Sequence, residues 1–483
     1  MKISQLLSGV NVIKGICNLY SEVFGMASDS RKVEYNYVFV AISGTFRNGN
    51  DYIEEAIHNG ASMVITDDID VPARENLIYV DNSRKALAYM WNNFYRKPTQ
   101  KMKLIAITGT NGKSSTAQFL YSILKENGEK CALISTIKSY IENDEYDFCG
   151  GSEVFDVTSS MTTPDPEKLY KFFYEAKLCG VNVIVMEASS HALAQEKLSP
   201  LSFEIGVFTN LSSEHMDFHL NMEAYFSAKQ KLFSMSKNLI VNCDDEYGKL
   251  IKEKYQGVKI FSSKENIKEC QFTNNGCKFT YIERDYEVEI ESAVLGQYTP
   301  QNIALAIMCA QVLGIDKYAL KQGVFSCDYI NGRLEKFCEN IIIDYAHTPI
   351  AMEKSIQSVR MHFPNKSIVV LFGCGGDRDK TKRSVMGKIS TTLADKVIIT
   401  ADNSRNEDIT KIIADIVENI DSENYVIIYD RKEAIKFGVE QLDENEVLLI
   451  LGKGHENYEI KNNRKIPFSE KEIICEALND KSK

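Results

Sequence analysis

The chain has 483 residues, 44% of them hydrophobic and 25% charged, and a formal net charge of −11; this is too long for one ordinary core and predicts a globular protein of several domains. The acidic balance excludes broad, non-specific attraction to nucleic acid or to an anionic membrane, so any polyanionic ligand must be met by a focused cleft. No apolar run approaches the roughly 18 residues of a membrane span, the first ten residues lack an uninterrupted apolar stretch, and the twelve cysteines include no Cys-x-x-Cys pair, so buried free thiols and a cytoplasmic location are expected.

Residues 1–98 read as a small α/β domain, with strand-like runs at 37–42, 61–66 and 77–80 and a helical stretch at 51–58. Asp29-Ser30-Arg31 and the stretch 44–49 around Thr45 are polar, turn-forming segments beside strands, where ligand loops sit, and neither decides a role alone. The basic segment 96–103, broken by Pro98, reads as a linker.

The stretch that follows organises the chain. An apolar run through Ile107 predicts a buried strand, and Phe119, Leu120, Ile123 and Leu124 share one face of a helix that starts near Ser115. Between them lies Thr108-Gly109-Thr110-Asn111-Gly112-Lys113-Ser114-Ser115. Strand, glycine turn and helix start make a phosphate cradle: Gly109 and Gly112 let backbone N–H groups converge on anionic oxygens, Lys113 can reach terminal phosphates, and the Ser114 hydroxyl can ligate Mg²⁺. The expected ligand is ATP.

The rest of 99–332 alternates strands with helices in the manner of a mostly parallel sheet, whose ligands bind at the carboxyl ends of strands. Two runs, 181–186 and 203–208, end in polar clusters, Glu187-Ala-Ser-Ser-His191 and 209–219, which should face the phosphate loop. His215, flanked by Glu214 and Asp217 and with Glu187 on a neighbouring strand end, is a candidate for holding Mg²⁺ or a proton; few protein ligands suffice, and Ser114 adds one. In 333–483 five strand-like runs, at 341–343, 368–372, 397–400, 425–428 and 447–450, predict a doubly wound sheet. Four of its endings are polar: Asp344-Tyr-Ala-His347, the 373–379 stretch with Arg378, Asp402-Asn403-Ser404-Arg405, and Gly452-Lys-Gly-His-Glu456. Four such endings in one sheet predict a composite site.

These motifs, together with Thr162-Thr163-Pro164, Ala228-Lys229 and Gly332-Arg333-Leu-Glu335, occur in the order seen in the Mur ligases, which the whole chain resembles. The resemblance implies a three-domain α/β enzyme: a UDP-substrate domain over 1–98, a central ATPase domain over 99–332, and a Rossmann-like domain over 333–483 that binds the incoming amino acid. The implied reaction phosphorylates, with ATP and Mg²⁺, the D-glutamyl carboxylate of a UDP-N-acetylmuramoyl dipeptide, and the amine of a diamino acid then displaces phosphate. It places catalysis on Lys113, Glu187, His215 and Lys229, the last as a carbamylated lysine that helps hold metal. It also places the nucleotide on the loop with Asn302, Arg333 and Asp344, and the UDP substrate on Ser30, Thr45, Thr162, Thr163, Ser189, Gln195 and Lys197. No nucleic-acid or membrane partner is implied, and a monomer is expected.

Four positions depart from the family pattern: Lys197 for arginine, Glu214 for aspartate, Thr299 for asparagine and Ser404 for proline. A lysine offers a point charge where arginine offers a two-pronged contact. A ligase of the folylpolyglutamate or cyanophycin type, and a nucleotide-binding regulatory protein without turnover, remain alternative readings. For the added amino acid, Arg405 matches the arginine of a family motif associated with meso-diaminopimelate. Arg405 and Arg378 can grip its distal carboxylate, and Glu456 and the Gly452 backbone its distal ammonium, with Asp402, Asn403 and Ser404 lining the same turn; L-lysine, which lacks that carboxylate, is the alternative.

Overall fold

The computed structural model describes residues 1–15, 17–44, 47–148, 162–462 and 464–481. Thr45 and the side chain of Asp217 lie outside the described residues.

Three α/β units follow one another along the chain. The first is a five-stranded sheet in the order Val12–Gly15, Leu77–Val80, Ala61–Thr66, Tyr37–Val40, Gly25–Ala27, parallel except for its first strand. The helix Ser83–Phe94 covers it and packs its Trp91 into the same apolar core as Phe172 and Phe173 of the helix Pro166–Leu178. That shared core joins the first unit to the second, with Tyr95 and Tyr174 in ring contact at 5.5 Å.

The central sheet runs Lys259–Phe261, Ser236–Asn242, Phe203–Phe208, Lys103–Thr108, Val183–Glu187, Cys131–Ile134, and then the hairpin Ser139–Ile141 and Asp144–Tyr146. Its first six strands are parallel. The four inner ones, from Phe203–Phe208 to Cys131–Ile134, are buried on both faces along nearly their whole length, which is why they read as apolar runs rather than alternating ones. Each fully buried aliphatic side chain there contributes about 1.5–3 kcal/mol relative to exposure. Strand Lys103–Thr108 sits between Val183–Glu187 and Phe203–Phe208, with Ile107 level with Glu187 and Thr108 level with Phe208. The phosphate loop and both polar clusters therefore emerge at one edge.

A three-stranded antiparallel meander, Ile267–Thr273, Gly276–Glu283 and Tyr286–Ser292, interrupts the expected strand–helix alternation. Its apolar face closes over the helix Thr299–Leu313 instead of extending the parallel sheet.

The third sheet runs Glu335–Cys338, Ile341–Asp344, Glu446–Leu451, Ser367–Phe372, Lys396–Ile399, Tyr425–Ile427, and only the first pairing is antiparallel. Helices Pro349–His362, Thr381–Leu393 and Ile409–Val417 pack on one face, and Arg431–Glu440 and Glu470–Lys481 on the other. Four neighbouring strands thus deliver the four polar endings to one edge, as the sequence predicts. His362 joins this unit to the second: its Nε2 accepts the Gly296 N–H at 2.8 Å, and its Nδ1 lies 2.6 Å from the Thr273 carbonyl oxygen.

Candidate active site

The loop after Lys103–Thr108 needs glycine at two places for lack of room. A Cβ on Gly109 would stand 1.9 Å from Thr209 Oγ1, and one on Gly112, whose φ is +83°, would stand 2.5 Å from Asn302 Oδ1. The backbone is thus held against the neighbouring strand end and against Asn302. Thr110 turns its hydroxyl into the fold, accepting from Ser212 N at 3.0 Å and meeting Tyr225 OH at 3.2 Å. The Asn111 N–H is capped by Asn210 Oδ1 at 2.9 Å.

Two lysines converge on this loop. Lys113 Nζ donates to the carbonyls of Gly109 (3.0 Å) and Thr110 (2.7 Å). Lys229, which the sequence places simply on a helix, is buried and donates to the same Gly109 carbonyl at 2.8 Å, with its Nζ 4.5 Å from the centre of the Tyr225 ring. Burial holds Lys113 below the ordinary lysine range, opposed by the carboxylates of Glu187 and Glu214. Burial, aided by the Lys113 ammonium, pushes Lys229 well below that range, and the Glu214 carboxylate opposes it. The neutral amine of Lys229 is thereby favoured. Arg333 also acts on the Lys113 charge, so a residue just ahead of the third sheet reaches the phosphate loop.

Glu187 is fully buried, and hydroxyls surround its carboxylate. Oε1 accepts from Ser135 Oγ (2.7 Å) and Thr136 N (2.9 Å), while Oε2 lies 3.2 Å from Thr136 Oγ1. Thr136 in turn meets Thr162 Oγ1 at 3.0 Å, and Thr163 bonds the Glu187 carbonyl (3.0 Å) and Ser189 Oγ (3.2 Å). Thr162, Thr163, Ser189 and Glu187 are thus brought together. Ser135 and Thr136, at the end of Cys131–Ile134, belong to the same cluster and were not singled out from sequence, although a polar pair ending an apolar run was the available signal.

His215 caps the short helix Met216–His219 in a left-handed conformation (φ +58°), with its ring 4.8 Å from that of His191 and its Nε2 3.9 Å from Glu214. Lys197 is buried and paired with Asp165 at 2.7 Å, so an anion binding there meets a charge already partly neutralised. Gln195 ends the helix Ser190–Ala194 just ahead of it. Ser30 is buried at the start of the turn Ser30–Lys32, in the first unit.

At the second edge, Asp344 accepts from Leu334 N (2.8 Å), Ala346 N (3.0 Å) and Ser355 Oγ (2.8 Å), which spends most of its acceptor capacity inside the fold. The Arg333 guanidinium lies 5.1 Å from the Tyr345 ring centre, and its Nε makes no hydrogen bond among the described residues. Asp402 is held below the usual carboxylate range, against the cost of burial, by Lys453 and Arg431. Asn403 Nδ2 donates to Glu456 Oε2 at 3.1 Å and its Oδ1 accepts from Lys453 Nζ at 3.0 Å. Arg405 has a left-handed backbone (φ +53°), pinned by bonds from its N–H to the Ile460 carbonyl and from Asn462 N–H to its own carbonyl. Strain of this kind persists where surrounding structure over-determines it. Its guanidinium donates to the Gly376 carbonyl at 2.8 Å and is close enough to Arg378 and Glu456 for each to bias its charge. Gly452 closes the turn beside Asp402.

Residues 107–310 match the model of the Mur ligase middle domain, 332–454 that of the Mur ligase glutamate ligase domain, and 22–95 that of the Mur ligase family catalytic domain. The chain belongs to the Mur ligase family. This Mur ligase is 39% identical to UDP-N-acetylmuramoyl-L-alanyl-D-glutamate–2,6-diaminopimelate ligase of Clostridium perfringens, with 100% of both chains covered. It is 38% identical to the enzyme of the same name from Caldanaerobacter subterraneus, again over 100% of both. A solved structure titled as a ligase of that name matches with a TM-score of 0.71 at 28% identity, covering 100% of this chain and 99% of that one. A Mycobacterium tuberculosis folylpolyglutamate synthase complexed with ADP shares the fold at a TM-score of 0.63 and 16% identity, over 76% of this Mur ligase and 92% of its own chain.

Proposed function

We propose that this Mur ligase joins diaminopimelate to the D-glutamyl carboxylate of UDP-N-acetylmuramoyl-L-alanyl-D-glutamate, cleaving ATP to ADP and phosphate, as a cytoplasmic monomer with domain boundaries near residues 98 and 332. The full-length relatives carry that activity in their names. The observation that carries the choice of amino acid is that the turn bearing Arg405 and the turn bearing Glu456 meet at the second edge, where Asn403 Nδ2 donates to Glu456 Oε2 at 3.1 Å, so a cation and an anion serve one site. The distal end of diaminopimelate bears a carboxylate and an ammonium, which pair with them in that order.

In the first step a carboxylate oxygen of the D-glutamyl group attacks the γ-phosphorus and ADP leaves. Such a transfer needs alignment and charge neutralisation more than bond-making by the protein. Lys113 and Arg333 supply positive charge at the loop, and Asn302 lines it. The glycine turn leading into the N-terminus of the helix Lys113–Glu126 suits a polyphosphate. The oxygen-rich donors Ser114 and Glu187, with His215, suit Mg²⁺, which supplies charge neutralisation when bound. In its neutral form the Lys229 amine can add to CO₂, an N–C bond forming as one C=O π bond opens and the nitrogen loses a proton, to give a carbamate that would offer the metal a further anionic oxygen. In the second step the amine of diaminopimelate attacks the acyl carbon, phosphate leaves, and the nitrogen loses a proton. Ser30, Thr45, Thr162, Thr163, Ser189, Gln195 and Lys197 hold the UDP dipeptide, while Arg378, Asp402, Asn403, Ser404, Arg405, Gly452 and Glu456 hold the amino acid.

Phosphate release tests this reading. Release is expected with ATP, the UDP dipeptide and diaminopimelate together, and not with a reduced folate and glutamate. Turnover of the folate pair without turnover of the UDP dipeptide would contradict it.

A further inference from the structure

The loops carrying Arg378 and Arg405 are joined from behind by one ion pair. Arg383, in the helix Thr381–Leu393, is wholly buried. Its Nη1 donates to Glu407 Oε1 at 2.8 Å and its Nη2 to Glu407 Oε2 at 2.7 Å, a two-pronged contact that fixes orientation as well as distance. Nη2 also donates to the Gly375 carbonyl at 3.1 Å, so this side chain grips the 373–379 loop while holding a carboxylate of the 402–407 loop. Glu407 answers in kind: its Oε2 accepts the Asp377 N–H at 3.1 Å, and Lys380 lies 3.0 Å from its Oε1. Four polar interactions to Glu407 therefore come from the first loop and the helix that follows it. These contacts, with Arg383 foremost, hold the Glu407 carboxyl far below the usual carboxylate range.

The loops have no slack. A Cβ on Gly376 would stand 2.0 Å from the Ser404 carbonyl oxygen and 3.0 Å from Glu407 Cβ. Gly376 N–H donates to the Asn403 carbonyl at 2.9 Å, and Asp377 Oδ2 accepts from both Asn406 N and Asn406 Nδ2 at 3.1 Å. Two arginines flank Gly375 at this seam: a Cβ there would stand 3.4 Å from Arg405 Nη1 and 3.8 Å from Arg378 Cγ, and burial first, then Arg378, disfavours the charge on Arg405. Like charges held together push their loops apart until an anion lies between them, and the ties between the loops resist this; among them the Arg383–Glu407 contact is the charged and two-pronged one.

We infer that Arg383 and Glu407 are a positioning pair for amino-acid specificity, fixing the gap between the two loops in which Arg378 and Arg405 receive the distal carboxylate of the incoming amino acid. This rests on the proposed function and adds to it the residues that set the selectivity. Neither side chain touches substrate in this role; a looser pair leaves both guanidiniums present but misplaced.

The test is steady-state kinetics with each substrate varied in turn, on the parent, Glu407→Gln, Arg383→Lys and Asp415→Asn. Glu407→Gln keeps the shape and removes the charge, and it decides the matter if Arg383→Lys does not fold. Asp415 also holds Arg383, at 2.7 Å, but belongs to the helix Ile409–Val417 and to neither loop, so its variant is the control. In both pair variants the KM for diaminopimelate is expected to rise about tenfold or more, the scale of one charge-assisted hydrogen bond, and preference over L-lysine to fall by a similar factor. The KM values for ATP and the UDP dipeptide should stay within about twofold, as should all three in Asp415→Asn. A common rise in all three KM values, or a lower melting temperature with unchanged preference, would overturn the inference. If the parent itself selects lysine, the substrate assignment fails instead, and the pair is judged by whether the KM for the accepted amino acid alone responds.

Discussion

Lys113→Ala is expected to lower kcat for phosphate release by about two to three orders of magnitude, the usual cost of removing one preorganised charge at a developing negative centre. The loop should survive the change, because the Gly109 carbonyl that Lys113 caps is also capped by Lys229. Its position argues for chemistry, not architecture. Burial disfavours the Lys113 ammonium and the Glu187 and Glu214 carboxylates oppose this, so a phosphate arriving at the loop adds charge pairing that the loop carbonyls lack. Single-turnover phosphate release on parent and variant, with the melting temperature measured alongside, checks this. A variant within about threefold of the parent, near 0.65 kcal/mol in barrier, would remove Lys113 from the phosphoryl-transfer step.

Lys229→Ala is expected to lose activity on the order of a hundredfold or more, and a short carboxylate such as acetate to restore part of it. The alanine leaves a space beside Gly109 and Tyr225 that a small anion can enter, supplying the negative oxygen a carbamate would have placed there. Lys229→Arg puts a permanent cation there that cannot form the carbamate, and should remain inactive with or without the anion. Full activity in the alanine variant, or inactivity without rescue accompanied by unfolding, would contradict the carbamate and leave Lys229 as a loop brace.

The parallel sheets were legible because their inner strands are buried on both faces. Runs such as Val183–Glu187 and Glu446–Leu451 carry no internal alternation to confuse them with surface strands. The edges where those strands end were legible for the same reason, since polarity resumes abruptly at Gly109, Glu187, Asp402 and Gly452. The meander was not read, though Tyr286–Ser292 alternates between exposed and buried positions and offered a period of two. What sequence could not show were partnerships between distant residues. Ser135 and Glu187 are 52 positions apart, Lys229 and Gly109 are 120 apart, and no local pattern links them. Arg383, in a run with Lys380 and Lys382, has the look of a solvated helix face and is wholly buried only because Glu407 and Asp415 reach it. Thr110 shows the reverse: its place in the phosphate loop suggested a ligand contact, and its hydroxyl is committed to Ser212 and Tyr225.

Substrate identity is most directly tested by kcat/KM for meso-diaminopimelate and for L-lysine, on the parent and on Arg405→Ala, with the UDP dipeptide and ATP saturating. Charged hydrogen bonds of about 1.5–3 kcal/mol to the distal carboxylate predict a parent preference for diaminopimelate of about ten- to a hundredfold. Arg405→Ala should erase most of that preference by losing diaminopimelate turnover, not by gaining lysine turnover. Equal use of both amino acids by the parent, or a preference for lysine, would contradict the assignment.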